Sequence, residues 1–379
     1  MSSKRPRVLQ IITHLALGGA ERVAFNLMKG LRDRFDFSLY VANGVDPGPV
    51  GQSMQRELQE MSVPLYVGTS VPIKFGGMVL SGLWAARAVR QSQPDLIHLH
   101  TEIPESSYAS MIAMRPGRAR IPLVRTIHNT IYWNPWRKLG RWCDKKMLRS
   151  FVASVSQGAQ HAFEELRAES GAGALPQPPR IIFNGVLVKN QPREIGRLPG
   201  ERYRILFAGR FEDQKGVDLL PQIIRSVKPS RPCDLLIHGS GTHEAKLREL
   251  AANPPPGWTI QVNGPVPDLA SELPQFDLLL MPSRYEGLAL VAIEAALLAV
   301  PVLATDGPGL REGFPGDYPW LAKAGHADGF SQLLQKAIDD PAAIAASVPA
   351  AMEFARANFD VTAMCDSYAA LYRQAMAYQ

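Results

Sequence analysis

The length, composition and charge of the chain exclude several classes of protein. Its 379 residues exceed one ordinary core and suit two domains, and 46% hydrophobic with 20% charged residues is a globular rather than a disordered mixture. The net charge of +6 is mild for this length, since nucleic-acid binders concentrate basic residues more strongly, and three widely spaced cysteines offer neither a disulfide framework nor a metal site.

The first half of the chain alternates short β-branched runs with amphipathic stretches. Segment 20–33 is typical of a helix, because Val23, Leu27 and Leu31 share one face. Alternating strands and helices predict a parallel sheet covered on both faces. The strand runs lie at 7–13, 36–42, 64–68, 95–100, 122–128 and 151–156.

Basic residues before the first apolar run imitate a secretory signal peptide. The run is short, however, and no small-residue cleavage site ends it, so we interpret it as a buried strand. Together with an odd number of scattered cysteines, this predicts a cytoplasmic protein with reduced thiols.

A polar, proline- and glycine-rich segment at 189–203 separates two similar halves, and we predict an interdomain linker at 191–203. The sequence thus predicts an α/β protein of two Rossmann-like doubly wound domains, 1–190 and 204–355, that face a central cleft. A helix at 356–379 is expected to pack back toward the first domain. The second series of strand runs lies at 204–210, 234–240, 258–264, 277–283 and 300–305.

Ligands of such sheets bind beyond the carboxyl ends of the strands, and small or polar residues stand there in the first half. Gly18 and Gly19 allow backbone N–H groups at a helix start to approach a phosphate or sugar, although a plain tight turn explains them equally well. His128 ends a strand and could bond a substrate hydroxyl; a structural role is the alternative. Third and fourth ligands for a metal are missing from the pattern.

Two cations flank the first turn of the second half. Arg210 leaves a strand end and Lys215 precedes a glycine, an arrangement that suits a diphosphate, with the guanidinium as a fork and the ammonium as a point charge. Solvated surface charges are the alternative. Gly241, in a second strand–glycine–helix turn, either faces a nucleotide or only permits the turn.

Two glutamates interrupt the apolar stretch 284–303. Glu286 falls in the turn before a predicted helix and Glu294 inside that helix, so both can line one wall of the cleft. Carboxylates suit paired sugar hydroxyls, and the helix start after Gly287 supplies N–H donors for phosphate oxygens. Pairing of Glu294 with a buried arginine is the alternative.

The run EGLALVAIE resembles the Glu-x7-Glu signature of retaining glycosyltransferases of GT-B architecture, and nearly the whole chain is similar to glycosyltransferase family 4. GGAER resembles the glycine loop of that family, TIHN its histidine, FNGV its interdomain Asn-Gly, and GRFEDQKG its diphosphate clamp. The chain departs from the family at Leu187, at Ala299 and in TDGPGLRE (305–312), which puts sugar specificity in doubt more than the reaction class.

The resemblance implies a role for each matching residue. Arg210 and Lys215 would stabilise the departing nucleoside diphosphate, Glu286 would bind the donor sugar, and His128 would lie beside that sugar. The remaining expected donor contacts are Gly18, Gly19, Asn184, Gly241, Gly287, Leu288, Ala289 and Glu294.

Residues 132–150 form a basic segment rich in tryptophan. Trp136, Leu139, Cys143 and Met147 recur at helical spacing among lysines and arginines, which suits an anionic membrane surface or a lipid-linked acceptor. Ordinary packing of this stripe on the domain is the alternative.

The sequence therefore predicts a retaining hexosyltransferase that moves a hexose from a nucleotide diphosphate-sugar to a glycan or lipid-linked acceptor of polysaccharide or lipopolysaccharide biosynthesis. The resemblance implies that no metal and no cofactor is used. The protein would be cytoplasmic, with peripheral membrane contact through 132–150 and no nucleic-acid partner. A nucleotide-sugar epimerase of the same fold, and a two-lobed binding module without turnover, are the alternatives. Spacing does not identify the base, the sugar, the acceptor or the oligomeric state.

Overall fold

The structure is a computed structural model that describes residues 4–16, 18–71 and 76–378. The chain forms two compact units, one of Met1–Gly185 with Val361–Gln379 and the other of Val186–Asp360. The units thus divide the chain at other positions than the predicted boundaries, and segment 191–203, predicted as a linker, belongs to the second unit.

The first unit is built on a parallel sheet. Its strands are β1 (Arg7–Ile12), β2 (Asp36–Val41), β3 (Leu65–Val67), β4 (Leu96–His100), β5 (Leu123–Ile127), β6 (Ser150–Ser154) and β7 (Arg180–Ile181). The order is β3-β2-β1-β4-β5-β6-β7, so the direction of the connections reverses between β1 and β4. Every residue of β4, β5 and β6 is buried, as in a parallel sheet covered on both faces. The buried residues include the polar His98, His100, Arg125 and Thr126.

Seven helices cover this sheet in the described part of the first unit: α1 (Gly19–Gly30), α2 (Pro49–Glu60), α3 (Gly77–Ser92), α4 (Glu102–Met114), α5 (Arg137–Lys146), α6 (Gln157–Ser170) and α13 (Val361–Ala377). Val23, Leu27 and Leu31 are fully buried, as the periodicity of α1 predicts. Helix α13 packs on α1, β4 and β5, and its Tyr368 and Tyr372 lie in the same apolar core as α1.

The second unit repeats this plan. Its strands are β8 (Tyr203–Ala208), β9 (Cys233–His238), β10 (Trp258–Asn263), β11 (Leu278–Met281), β12 (Val302–Thr305) and β13 (Leu321–Ala322). They run parallel in the order β10-β9-β8-β11-β12-β13, with the reversal between β8 and β11. The helices are α7 (Leu220–Ser226), α8 (Glu244–Ala252), α9 (Leu290–Leu297), α10 (Ala327–Asp339), α11 (Pro341–Ala345) and α12 (Val348–Asn358). Two doubly wound Rossmann-like units confirm the predicted GT-B fold class.

Two further findings concern the cysteines and the length of the helices. Cys143, Cys233 and Cys365, all among the described residues, are buried and form no disulfide. Among the described residues, none of the helices combines the length and the apolar character needed to cross a bilayer.

Candidate functional site

In the second unit, Lys215 and Glu286 meet where the direction of the sheet connections reverses. Lys215 follows β8 and Glu286 follows β11, and Nζ of Lys215 donates to Oε1 and Oε2 of Glu286 at 2.7 and 2.8 Å. Ser283 Oγ also donates to Oε1 at 2.7 Å. Glu286, the first acid of the Glu-x7-Glu pattern, is buried and therefore faces a lysine. Because an ammonium has three donors, one N–H of Lys215 remains for a ligand oxygen.

Close backbone packing fixes the turn that carries Glu286. Gly216 has φ +65° and Gly309 has φ +72°, both in the left-handed region. A Cβ at Gly216 would collide with the carbonyl oxygen of Pro282, and a Cβ at Gly309 with that of Glu286. The two glycines thus let the Lys215 turn and the 306–310 loop close on either side of the Glu286 turn.

Arg210 lies beside this pair but is exposed. Its Nη2 donates to Oε1 of Gln214 at 2.7 Å, and Gln214 Nε2 in turn donates to the carbonyl oxygen of Tyr285 at 3.3 Å. Gln214 therefore ties Arg210 to the backbone of the Glu286 turn, while the guanidinium stays accessible to an anion.

The turn that carries Lys215 also holds members of a cluster of charged side chains. Arg284 binds both oxygens of Asp218 at 2.6 and 2.8 Å, and this hydrogen bonding lowers the pKa of Asp218. His243 Nε2 lies 2.6 Å from Oδ1 of Asp213. One ligand atom each from Asp213, Asp218 and His243 falls within 4.8 Å of the others, the spacing of a metal site, but the guanidinium already occupies Asp218. The donor set is thus better explained as an ion-pair network that braces the turn.

The other predicted residues of this unit lie at strand and helix ends. Leu288 and Ala289 precede α9, whose first N–H groups have no partners within the helix, and Glu294 is half-buried on the same helix. Gly241 packs so closely on the backbone of Phe211 that a Cβ would lie 2.8 Å from its carbonyl oxygen. This close approach supports the turn interpretation of Gly241 without excluding a ligand.

In the first unit, His128 ends a buried chain of hydrogen bonds that crosses the sheet to α13. His128 Nε2 lies 3.0 Å from Nδ1 of His100, and His100 Nε2 lies 2.7 Å from Oε1 of Gln10. Gln10 Nε2 donates to the hydroxyl of Tyr372 at 3.0 Å, and that hydroxyl lies 2.7 Å from Nδ1 of His98. The chain continues from His98 through Thr126 to Tyr368.

The amide of Gln10 sets the direction of these bonds. Since Oε1 of Gln10 accepts, neutral His100 carries its proton on Nε2 and its Nδ1 accepts from Nε2 of His128. Nδ1 of His128 then keeps its lone pair. Burial lowers the pKa of His128 to about 3 and the pKa values of His98 and His100 well below their ordinary range, so all three rings are neutral near pH 7.

The remaining predicted residues of the first unit are Gly18, Gly19 and Asn184. Gly18 precedes α1 and Gly19 begins it, whereas Leu17 of the same motif lies outside the described residues. Asn184 is buried, and its Oδ1 has no hydrogen-bond partner among the described residues.

Sequence reasoning missed several residues of both sites. Ser283 stands three positions before Glu286, and a donor at that spacing could have been considered. Glu102 follows β4, accepts from Nδ2 of Asn129 at 3.0 and 2.9 Å, and has its pKa raised by burial. The partnership of Gln10 with Tyr372 spans 362 positions and leaves no local signal.

The tryptophan-rich segment packs mainly on its own unit. Cys143 and Met147 are buried, and Trp133 Nε1 donates to Glu105 at 3.1 Å, which is the arrangement that ordinary packing requires. Trp136 remains exposed. Helix α5 (Arg137–Lys146) has Trp136 and Met147 as its caps, which agrees with the helical spacing that begins at Trp136 and ends at Met147.

Two family models match the chain. The model for glycosyltransferase family 4 matches residues 17–188, and the model for glycosyl transferases group 1 matches residues 202–340. Together they cover most of the sequence and both units.

Among curated relatives, a D-inositol 3-phosphate glycosyltransferase from Arthrobacter sp. (strain FB24) is 31% identical over 67% of this chain and 65% of its own length. A putative teichuronic acid biosynthesis glycosyltransferase from Bacillus subtilis is 27% identical over 65% of this chain and 62% of its own length. The matched region thus spans less than two thirds of these relatives.

Solved structures resemble the whole fold. Anabaena HepE in complex with UDP and glucose has a TM-score of 0.76 at 21% identity, covering 98% of this chain and 100% of the other. A sucrose-phosphate synthase from Thermosynechococcus elongatus has a TM-score of 0.77 at 19% identity, covering 99% and 100%.

Proposed function

The chain belongs to the glycosyltransferases of group 1 and family 4, and from that premise we propose that it transfers a hexose from a nucleotide diphosphate-sugar to a hydroxyl of a glycan or lipid-linked acceptor. The observation that carries this proposal is the Lys215–Glu286 pair with Arg210 beside it, where the sheet order of the second unit reverses. The anomeric carbon breaks its bond to the diphosphate and forms one to the acceptor oxygen. The acceptor proton leaves to a phosphate oxygen or to water.

Cations of the second unit stabilise the leaving group in this proposal. Negative charge grows on the diphosphate as the bond breaks, and fixed positive groups at that point lower the barrier. Arg210 offers an exposed guanidinium and Lys215 a remaining N–H. At the start of α9 the N–H groups of Leu290 and Ala292 already donate to Leu288 and Ala289, so the helix contributes the positive end of its dipole. Glu294 on that helix would hold the ribose hydroxyls.

The donor sugar would contact Glu286, whose carboxylate accepts hydrogen bonds from sugar hydroxyls while it orients Lys215. In the first unit, Nδ1 of His128 can accept a hydrogen bond from a substrate hydroxyl, because the Gln10 chain keeps the imidazole neutral and in one tautomer. Each acceptor discriminates against a substrate that lacks the hydroxyl it binds.

Retention of the anomeric configuration and independence from metal ions follow from the family resemblance. We assign no nucleophile among the carboxylates, because Glu286 is already engaged by Lys215 and Ser283 and is placed for hydroxyl binding. The homologues named for teichuronic acid biosynthesis and for glycosylation of D-inositol 3-phosphate support a role in building glycans or glycolipids.

A panel of nucleotide-sugars titrated by calorimetry, followed by turnover with candidate acceptors, tests the proposal. We expect one donor to bind, and the product NMR spectrum to show the anomer of the donor in the presence of EDTA. Release of free nucleotide and an isomerised sugar without acceptor would establish an epimerase instead. Tight donor binding without transfer or hydrolysis across the acceptor panel would establish a binding module.

A further inference from the structure

Helix α3 turns its largest apolar side chains toward solvent. Val79, Leu80, Leu83 and Trp84 are 48%, 39%, 46% and 43% exposed. They recur at i, i+1, i+4 and i+5 and form one stripe, which Arg87 and Arg90 continue along the helix. We call these six residues the α3 face.

The opposite side of α3 is buried but is made mostly of small residues. Gly82, Ala85, Ala86 and Ala88 face the protein, and Gly82 lies so close to α4 that a Cβ would come within 2.7 Å of Ser110. A helix of a globular protein normally buries its bulky apolar residues and exposes its polar ones. The small residues allow close packing on α4 and leave the bulky residues outside, so the helix places apolar area in solvent rather than in the core.

The segment of the chain that contains this apolar stripe is rich in positive charge. Residues 61–149 contain thirteen Lys and Arg and four Asp and Glu, a net charge of +9, whereas the whole chain carries +6. Of those four acids, Glu105 and Asp144 are buried against Arg125. Helix α3 has no acidic residue, and the adjoining end of α4 presents exposed Met114 and Arg115. The rest of the chain is therefore slightly acidic, and the positive charge is concentrated on the segment that contains α3.

We propose that the α3 face binds the surface of an anionic lipid bilayer. Leu80, Leu83 and Trp84 enter the boundary between headgroups and acyl chains, and Arg87 and Arg90 contact anionic headgroups. The guanidinium of Arg87 lies 6.0 Å from the centre of the Trp84 ring, so an aromatic ring and a cation lie side by side at the edge of the stripe. This arrangement is that of an interfacial helix, which lies along the membrane without spanning it.

Charge favours lipid over a second copy of the chain as the occupant. A symmetric contact through α3 would bring two sets of arginines together, and like charges in an interface oppose association. An anionic bilayer neutralises these charges and also receives the apolar stripe.

Co-sedimentation with vesicles tests the proposal. The full chain is mixed with vesicles of phosphatidylcholine alone, or of phosphatidylcholine with about a third of the anionic lipid phosphatidylglycerol, without any nucleotide. We expect binding to the anionic vesicles only, reduced by salt. Replacing Arg87 and Arg90 with Gln should lower the partition coefficient about 25-fold, since each basic residue contributes about fivefold. Leu83→Ser with Trp84→Ser should lower it by more than about tenfold.

The matched control replaces Ile195 and Leu198 with Ser, because these residues of the second unit are 52% and 55% exposed but lie outside the basic segment. That variant should bind vesicles like the wild type. Unchanged binding of both α3 variants, equal loss in the control, or no binding by the wild type would each overturn the proposal. A wild-type dimer that the Leu83→Ser, Trp84→Ser variant dissolves, without vesicle binding, would identify a self-association surface instead. Nucleotide affinity of the variants, measured in parallel, separates these outcomes from failure of the transferase proposal.

Discussion

Replacement of Tyr372 by Phe tests the link between the C-terminal helix and His128. The hydroxyl of Tyr372 accepts from Gln10 and lies 2.7 Å from Nδ1 of His98, in a region with no exposure to water. Its removal leaves one buried donor and one buried acceptor without partners. Each unsatisfied group costs about 1–3 kcal/mol, so we expect a loss of about 3 kcal/mol in the free energy of unfolding. For a unit of this size, the loss lowers Tm by about 6–12 °C.

The same substitution should change the tautomer of His128. Without Tyr372, the amide of Gln10 has no acceptor for its Nε2 and can turn this group toward Nε2 of His100. His100 then carries its proton on Nδ1 and donates to Nε2 of His128, which leaves the proton of His128 on Nδ1. Nitrogen NMR of ¹⁵N-histidine-labelled protein should show one tautomer of His128 in the wild type and a mixture in Tyr372→Phe. The KM for the substrate whose hydroxyl His128 binds should rise, because Nδ1 of His128 would present a proton to that hydroxyl in part of the molecules.

Tyr368→Phe is the matched control. Tyr368 is equally buried and on the same helix, but it bonds Thr126, which keeps its bond to His98. We expect a loss of about 1 kcal/mol and an unchanged tautomer of His128. Equal effects of the two substitutions on Tm and on the NMR spectrum would refute the reasoning.

Three further predictions rest on buried charge and titration. Arg125→Met leaves the buried carboxylate of Glu105 with the neutral donors Tyr132 and Trp133, and takes from Asp144 one of two arginines, since Arg167 remains. It should lower the free energy of unfolding by about 3–5 kcal/mol in urea denaturation; a loss below about 1 kcal/mol would show that the network is not essential. Lys215→Ala removes the ammonium partner of the buried Glu286 carboxylate, which keeps its hydrogen bond from Ser283, and should lower both turnover and Tm. Arg210→Ala should lower turnover alone, because Arg210 is exposed; equal Tm values in both variants would contradict the pairing. His98, His100 and His128 are neutral in the folded state, where burial holds their pKa values below the unfolded value. Their contribution to the free energy of unfolding is therefore complete above about pH 6.5. It is lost as the pH falls toward the folded pKa values, by about 1.4 kcal/mol per pH unit for each ring. A free energy of unfolding that is constant between about pH 6.5 and 5 would contradict this buried neutral state.

The sheets could be predicted from the sequence because a buried parallel strand has a strong local pattern. RVLQII, LIHLH and SFVAS are apolar or β-branched runs, and each forms a strand near the predicted position. Helix ends were less predictable. Segment 20–33 is predicted as one helix, whereas α1 ends at Gly30 with Leu31 as its C-cap.

Residues of the candidate sites could be predicted from the sequence where they follow a predicted strand, but their contacts with one another could not. Lys215 and Glu286 were each expected at a carboxyl strand end, but their mutual bond depends on the order of β8 and β11 in the sheet, which no local pattern contains. The buried chain from His128 to α13 depends on packing of the last helix against β4 and β5. Exposure of α3 was not predicted either, since its stripe reads in sequence like an ordinary core-facing helix.

The central claim is that Arg210 and Lys215 hold the diphosphate of the donor. Calorimetric titration of the best-bound nucleoside diphosphate into the wild type and Arg210→Ala tests it most directly, because the exposed guanidinium can be removed without disturbing a buried partner. We expect the Kd of Arg210→Ala to rise by about tenfold or more, as loss of a charge-assisted hydrogen bond requires, with Tm unchanged. An identical Kd in the two proteins would contradict the claim.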